Sequence, residues 1–177
     1  TAILGNCGVT FAPCKAEDRG FLAGMMETVE DIPKDAILNG LPWNWESYGE
    51  YLDSLESLNP VINLGGLIGH CAVRFYVMGD RGVDQEPSQK EKMQMADIVR
   101  QAIRDGAVGF STSRNPGHRI PDGRSVPGTF AKHDELLQIA KAVGEQDGLM
   151  QSVTNMSAFE DEMALLKAEG ASARVLF

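Results

Sequence analysis

The sequence is short of everything that would crosslink it, anchor it or bind it to a polyanion. Its cysteines number three, Cys7, Cys14 and Cys71, an odd and sparse set that excludes a disulfide framework and points to a reducing, cytoplasmic compartment. No uninterrupted apolar run approaches the ~20 residues that span a bilayer, and no signal-peptide pattern opens the chain, so no membrane partner is expected. Basic residues are outnumbered, 16 Lys and Arg against 25 Asp and Glu, for a formal net charge of -9. A surface that acidic repels phosphate backbones and anionic lipids, which argues against nucleic-acid binding and polybasic anchoring. The three histidines lie in separate segments, and there is no CxxC, HxH or HExxH spacing, no Walker A element, no GxSxG and no GxGxxG leading into a helix. A metal site made only of local ligands is therefore excluded, and dinucleotide binding has little support. No fixed-period repeat, low-complexity tract or Pro/Ser-rich linker divides the 177 residues.

What is present is an alternation. Short apolar runs, read as strands, occur at Ala2 to Gly5, Val61 to Leu64, Ala107 to Ser111, Leu149 to Val153 and Ala173 to Phe177. Between them lie stretches with apolar residues at helical spacing. Phe21, Leu22, Met25 and Val29 share a face over residues 16–30, and Tyr48, Tyr51, Leu52 and Leu55 over 47–58. Met95, Val99, Ala102 and Ile103 do so over 88–105, and Leu136, Leu137, Ala140 and Val143 over 133–146. Ser88 with Glu91, and Ser157 with Glu160, have the spacing of capping boxes. Pro33, Gly40 and Pro42 punctuate a loop carrying Trp43 and Trp45, which are read as core plugs. Strand and helix alternating in this way predict right-handed βαβ units around about five parallel strands. Either an open α/β sheet or part of a (β/α)8 barrel satisfies that pattern. A complete barrel takes about 250 residues, so 177 are too few to close one. Thr1 runs straight into the first strand and Arg174 to Phe177 end inside the last, so the expectation is one partial barrel domain over 1–177, cut from a longer catalytic domain.

In both architectures functional residues sit after the carboxyl ends of the strands. Those positions hold Asn6, Cys7 and Gly8; His70 and Cys71 with Arg74; Ser111 to Arg114 with His118 and Arg119; and Gln151, Thr154 and Asn155. Cys7, between glycines, suits a metal ligand, a nucleophile or a small buried hydrophobe; Cys14 and Cys71 are read as packing residues. His70 suits a site residue or a structural histidine, and Arg74 is expected to pair with a nearby carboxylate. The segment from Ser113 to Thr129 gathers Arg114, His118, Arg119 and Arg124, which suggests either a bound anion such as a substrate carboxylate or a solvated loop. His133-Asp134-Glu135 is read as helix capping.

Gly5-Asn6-Cys7-Gly8 resembles the GNCG element of the N-acyl-D-amino-acid deacylases (D-aminoacylases) of amidohydrolase family 3. Gly69-His70 with Arg74, Gly106-Ala107-Val108-Gly109-Phe110-Ser111-Thr112, and the tract from Pro42 through Tyr48 to Leu52 are similar to further elements of that family in the same order. The resemblance implies part of a (β/α)8 metal-dependent hydrolase, cleaving the N-acyl C–N bond of a small carboxylated amino-acid derivative with zinc. It places Cys7 as a zinc ligand; with that reading, the strand-end residues His70, Ser113, Arg114 and His118 are expected to bind the substrate, Arg114 and His118 holding its carboxylate. It also expects a histidine near Val153 or Thr154, where the sequence reads Gln151-Ser152-Val153-Thr154-Asn155. Two other readings stay open: a barrel homologue without metal or catalysis that binds a small carboxylated ligand, and an open α/β domain with Cys7 as nucleophile.

Overall fold

The computed structural model describes residues 1–5 and 7–177; Asn6, one of the residues singled out after the first strand, lies outside the described residues. Five strands form one sheet in the order β1 (Ala2–Leu4), β2 (Leu64–Gly69), β3 (Gly109–Ser113), β4 (Leu149–Val153) and β5 (Arg174–Leu176), and every neighbouring pair is parallel. Sequential order with helical crossovers of one hand puts the helices on one face of the sheet and curls it as in a (β/α)8 barrel. The helices are α1 (Arg19–Glu30), α2 (Lys34–Gly40), α3 (Tyr48–Ser57), α4 (His70–Met78), α5 (Arg81–Asp84), α6 (Gln89–Arg104), α7 (His133–Gly144) and α8 (Phe159–Glu169). The expected partial barrel of five parallel strands alternating with helices is what the chain forms. Among the described residues no helix is long and apolar enough to cross a membrane.

The core lies between strands and helices. Ile68, Phe110 and Met150, one from each of the three central strands, meet Met25, Met95, Val99, Leu136, Ile139 and Leu165 from the helices, all buried. Trp43 and Trp45 are core plugs as expected, edge-on to Phe11 and Tyr51 respectively. At α6 the capping box forms: the Ser88 hydroxyl accepts from the Glu91 amide, and the Glu91 carboxylate accepts from the Ser88 amide at 2.7 Å.

Several local expectations are corrected. The second strand is Leu64–Gly69, not Val61 to Leu64, and Val61 is fully exposed. Gly66 is a strand residue because the Tyr48 hydroxyl lies 2.3 Å from where a Cβ would stand, so its glycine serves close packing and not a turn. The third strand runs two residues further than expected, to Ser113, since buried serine and threonine side chains find partners there. Lys34–Gly40, expected as loop, is helix α2, starting directly after Pro33. Helix α4 follows β2 without a connecting loop and was not anticipated. Ser157 and Glu160 form no capping box; the Asn155 side chain instead accepts from the Ser157 amide at 3.1 Å, ahead of a start at Phe159.

The two edge strands present Ile3, Leu4 and Leu176 at 40–54% exposure beside unpaired backbone groups. Such edges template pairing with another chain. The 177-residue chain alone is therefore expected to elute in size-exclusion chromatography as concentration-dependent oligomers, and a monodisperse monomer at all concentrations contradicts this.

Candidate functional site

The turn after β1 is built against the inner face of the sheet. Side chains alternate along β3: Thr112 turns to the helix layer and meets His70, while Ser111 and Ser113 turn to the opposite, inner face. The Ser111 hydroxyl accepts from the Gly8 amide at 3.1 Å and donates to the Gly5 carbonyl. Gly5 and Gly8 both take positive φ, +83° and +77°, a region that favours glycine. A Cβ on Gly8 would sit 3.1 Å from the Thr112 Cα, so the turn lies flat on the β3 backbone. The Cys71 amide donates to the Gly8 carbonyl at 3.0 Å, tying the same turn to the start of α4.

Cys7 is half-buried, with its Sγ 3.6 Å from Glu30 Oε1 at the end of α1. Burial pushes the thiol above its ordinary value; the Val9 backbone N–H works against this, and Glu30 adds to the rise. Cys14 and Cys71 are buried packing residues, and burial pushes the Cys14 thiol up to about 12. Among the described residues no group of three or more His, Cys, Asp and Glu is placed to hold a metal ion. One thiol with one carboxylate does not make the four-donor set that zinc takes in proteins, so these residues by themselves do not fit a zinc centre.

Ser113 Oγ lies 2.9 Å from His118 Nδ1, and among the described residues His118 Nε2 makes no hydrogen bond. This pair stands at the carboxyl end of β3, on the same face as Ser111 and, by register, Gln151. Gln151 is buried and its Oε1 has no partner among the described residues.

His70 and Arg114 are placed differently. His70 is fully buried, its Nδ1 2.8 Å from Thr112 Oγ1 and its Nε2 2.9 Å from Glu135 Oε1. Burial pushes the imidazole below its ordinary value against the pull of Glu135, which leaves it neutral at pH 7. Nε2–H then donates to Glu135, and Nδ1 accepts from Thr112. Arg74 reaches the same carboxylate, its Nη1 2.6 Å from Glu135 Oε1, and donates to the carbonyls of Gly82 at 2.7 Å and Gln85 at 2.5 Å. Arg74 thus pairs across 61 positions, not locally. Glu135 is correspondingly no simple capping residue. Burial alone would raise its carboxyl, and the hydrogen bond from His70 with the charge and hydrogen bond of Arg74 overrides this to bring it to about 2.

Arg114 is buried, donating to Glu162 Oε1 at 2.6 Å and to the Ala131 carbonyl at 2.8 Å. The other cations of the long loop are also engaged. Arg119 donates to the Gly123 carbonyl, and Arg124 pairs with Asp80, Asp84 and Asp122. The arginines of the cluster are thus engaged with carboxylates and carbonyls, and His118 keeps Nε2 without a hydrogen bond among the described residues. Sequence spacing missed Glu135, Glu162 and Glu169 because each sits among ordinary helical polar residues. Glu135 and Glu162 do stand in acidic runs at helix starts, Asp134-Glu135 and Glu160-Asp161-Glu162, and Glu169 has no such neighbour.

Comparison with known proteins places this geometry. The N-acyl-D-glutamate deacylase of Alcaligenes xylosoxydans xylosoxydans is 29% identical over 152 residues, covering 86% of this chain and 26% of that protein. The D-aminoacylase of the same organism is 25% identical over 149 residues, covering 84% of this chain and 26% of that protein. The chain thus spans about a quarter of the length of these curated relatives. A crystal structure of N-acyl-D-glutamate deacylase from Bordetella bronchiseptica, complexed with zinc and a phosphonate inhibitor, superposes with a TM-score of 0.68 at 26% identity, over 97% of this chain and 32% of that one. A D-aminoacylase crystal structure shares the fold at a TM-score of 0.67 and 19% identity, over 98% of this chain and 33% of that one. A family model described as the amidohydrolase family matches residues 7–174, and the chain belongs to that family.

Proposed function

We propose that this chain serves the hydrolysis of the N-acyl C–N bond of a small carboxylated amino-acid derivative, in the manner of an N-acyl-D-amino-acid deacylase. The observation that carries the reading is the Cys7 turn held against the inner face of β3, beside the Ser113–His118 pair, in a chain that matches the family over 7–174. In this reading Ser113 and His118 receive the substrate carboxylate. The Ser113 hydroxyl donates to His118 Nδ1, which leaves Nε2–H as the donor toward the ligand. His70 and Arg114 act from behind: His70 holds Thr112, and Arg114 holds the loop that carries His118. Zinc would take Cys7 as one ligand, with its other donors outside the described residues; bound there it supplies a Lewis acid and an activated water. The partner is a small N-acyl amino acid or related amide.

A second reading, a barrel homologue that binds such a ligand without cleaving it, is favoured by one observation. The strand end where the family resemblance expects a histidine carries Gln151 to Asn155, and Gln151 leaves an acceptor unpaired. Incubating the purified full-length parent protein, not the 177 residues alone, with N-acetyl-D-amino acids separates the two. Release of acetate and free D-amino acid, abolished by Cys7→Ala, is the expected result. Ligand binding without acetate release, in a protein free of metal by elemental analysis, supports the second reading and overturns the first.

A further inference from the structure

We infer that Ser111 is the positioning residue for Cys7: its hydroxyl bridges the two ends of the turn and so sets where the thiol points. The inference rests on the reading that Cys7 faces the reaction centre. Ser111 is fully buried in β3, yet neither of its hydroxyl bonds serves the sheet. One goes to Gly8 and the other to Gly5, on opposite sides of Cys7. The bridge also skips a strand, because β1 pairs with β2 and not with β3. Both partners of the hydroxyl are backbone groups at positive φ, so they have no side chain of their own with which to fix the turn. Among the described residues the other ties near the turn are the Cys71 amide on the Gly8 carbonyl, Thr10 Oγ1 accepting from the Gly69 amide at 3.2 Å, and Cys7 Sγ 3.6 Å from Glu30 Oε1; none of them reaches Gly5. Ser111 is thus the group that closes the turn on the Gly5 side. An alanine there leaves the Gly8 amide without its acceptor and the Gly5 carbonyl without its donor, and the turn swings toward solvent.

The test reads Cys7 directly and needs no turnover, so it stands whether or not the deacylase reading survives. Iodoacetamide labelling of the full chain at fixed pH, resolved by peptide mass mapping, gives separate rates for Cys7, Cys14 and Cys71. Ser111→Ala is expected to raise the Cys7 rate about fivefold or more, fivefold being the loss of a single one of its two buried hydrogen bonds, with Cys14 and Cys71 unchanged. Thr112→Val is the control for lost structure in general. It removes a buried bond from the next residue of the same strand, to His70 on the opposite face, and is expected to leave Cys7 unchanged. An unchanged Cys7 rate in Ser111→Ala, or an equal rise at all three thiols, overturns the proposal. Should Ser111→Ala not fold, amide hydrogen exchange in the unsubstituted chain decides. A protected Gly8 amide is expected, and one that exchanges like a free loop amide overturns the assignment.

Discussion

Glu135→Ala is expected to destabilise the fold by about 3–5 kcal/mol, because it leaves the Arg74 guanidinium buried without its carboxylate. Arg74 and Glu135 are 6% and 1% exposed at the side chain, and the carboxylate also accepts from His70 Nε2. The substitution therefore strands a charge and an imidazole donor together. Urea denaturation at pH 7 measures the loss, and a change below about 1 kcal/mol, typical of a surface pair, refutes the account. Arg74→Met combined with Glu135→Leu removes both charges and is expected to cost less than Glu135→Ala alone, since the uncompensated charge, not the missing attraction, carries most of the penalty. The pH dependence has a definite sign. The Glu135 carboxyl is held below its ordinary value of 4.5, at about 2. Its contribution is complete above the ordinary value and disappears as pH falls through about 2.

Glu169 behaves in the opposite sense. It lies at the end of α8, 1% exposed, and neither carboxylate oxygen has a partner among the described residues. Burial pushes it up to about 7; the Arg114 charge opposes the rise and the Glu162 charge adds to it. A raised carboxyl binds its proton more tightly in the folded chain than in the unfolded one. Its contribution is therefore complete below 4.5 and is lost as pH rises to about 7. Glu169→Gln removes that dependence and is expected to stabilise the chain by about 3 kcal/mol at pH 8 and by almost nothing at pH 4. Thermal melts of both proteins across that range test it. An equal effect at the two pH values shows that folding does not raise the Glu169 carboxyl and overturns the account.

These two carboxylates also mark where sequence reading stopped. The alternation of strands and helices was legible because each helix carries its apolar face at 3.6-residue spacing, as Met95, Val99 and Ala102 do in α6. The capping box at Ser88 and Glu91 was legible because it is a contact over three residues. Boundaries failed where glycine has two meanings. Gly65 and Gly66 fell beyond the expected end of the second strand, yet they are strand residues packed under Val108 and Tyr48. Cys7 stood out through its glycine neighbours, and its turn does stand at a strand end on the inner face. His70 and Arg114 also stood out, and both lie near the site. The structure directs their polar atoms to Glu135 and Glu162, 65 and 48 positions away, separations no local pattern encodes.

By itself the sequence determined the parallel α/β class, the place of the Cys7 turn at the end of the first strand, and the resemblance carried by its short motifs. All of these depend on residues close together along the chain, through hydrophobic period, turn chemistry and fixed spacing. Only the tertiary structure decided which cations are free and which are neutralised. It likewise decided that Glu135 is ionised and Glu169 protonated at mildly acid pH, and that Ser111 reaches across a strand to the turn holding Cys7. The physical reason is that burial and ion pairing are set by what the fold brings alongside a side chain, and those neighbours come from other strands and helices.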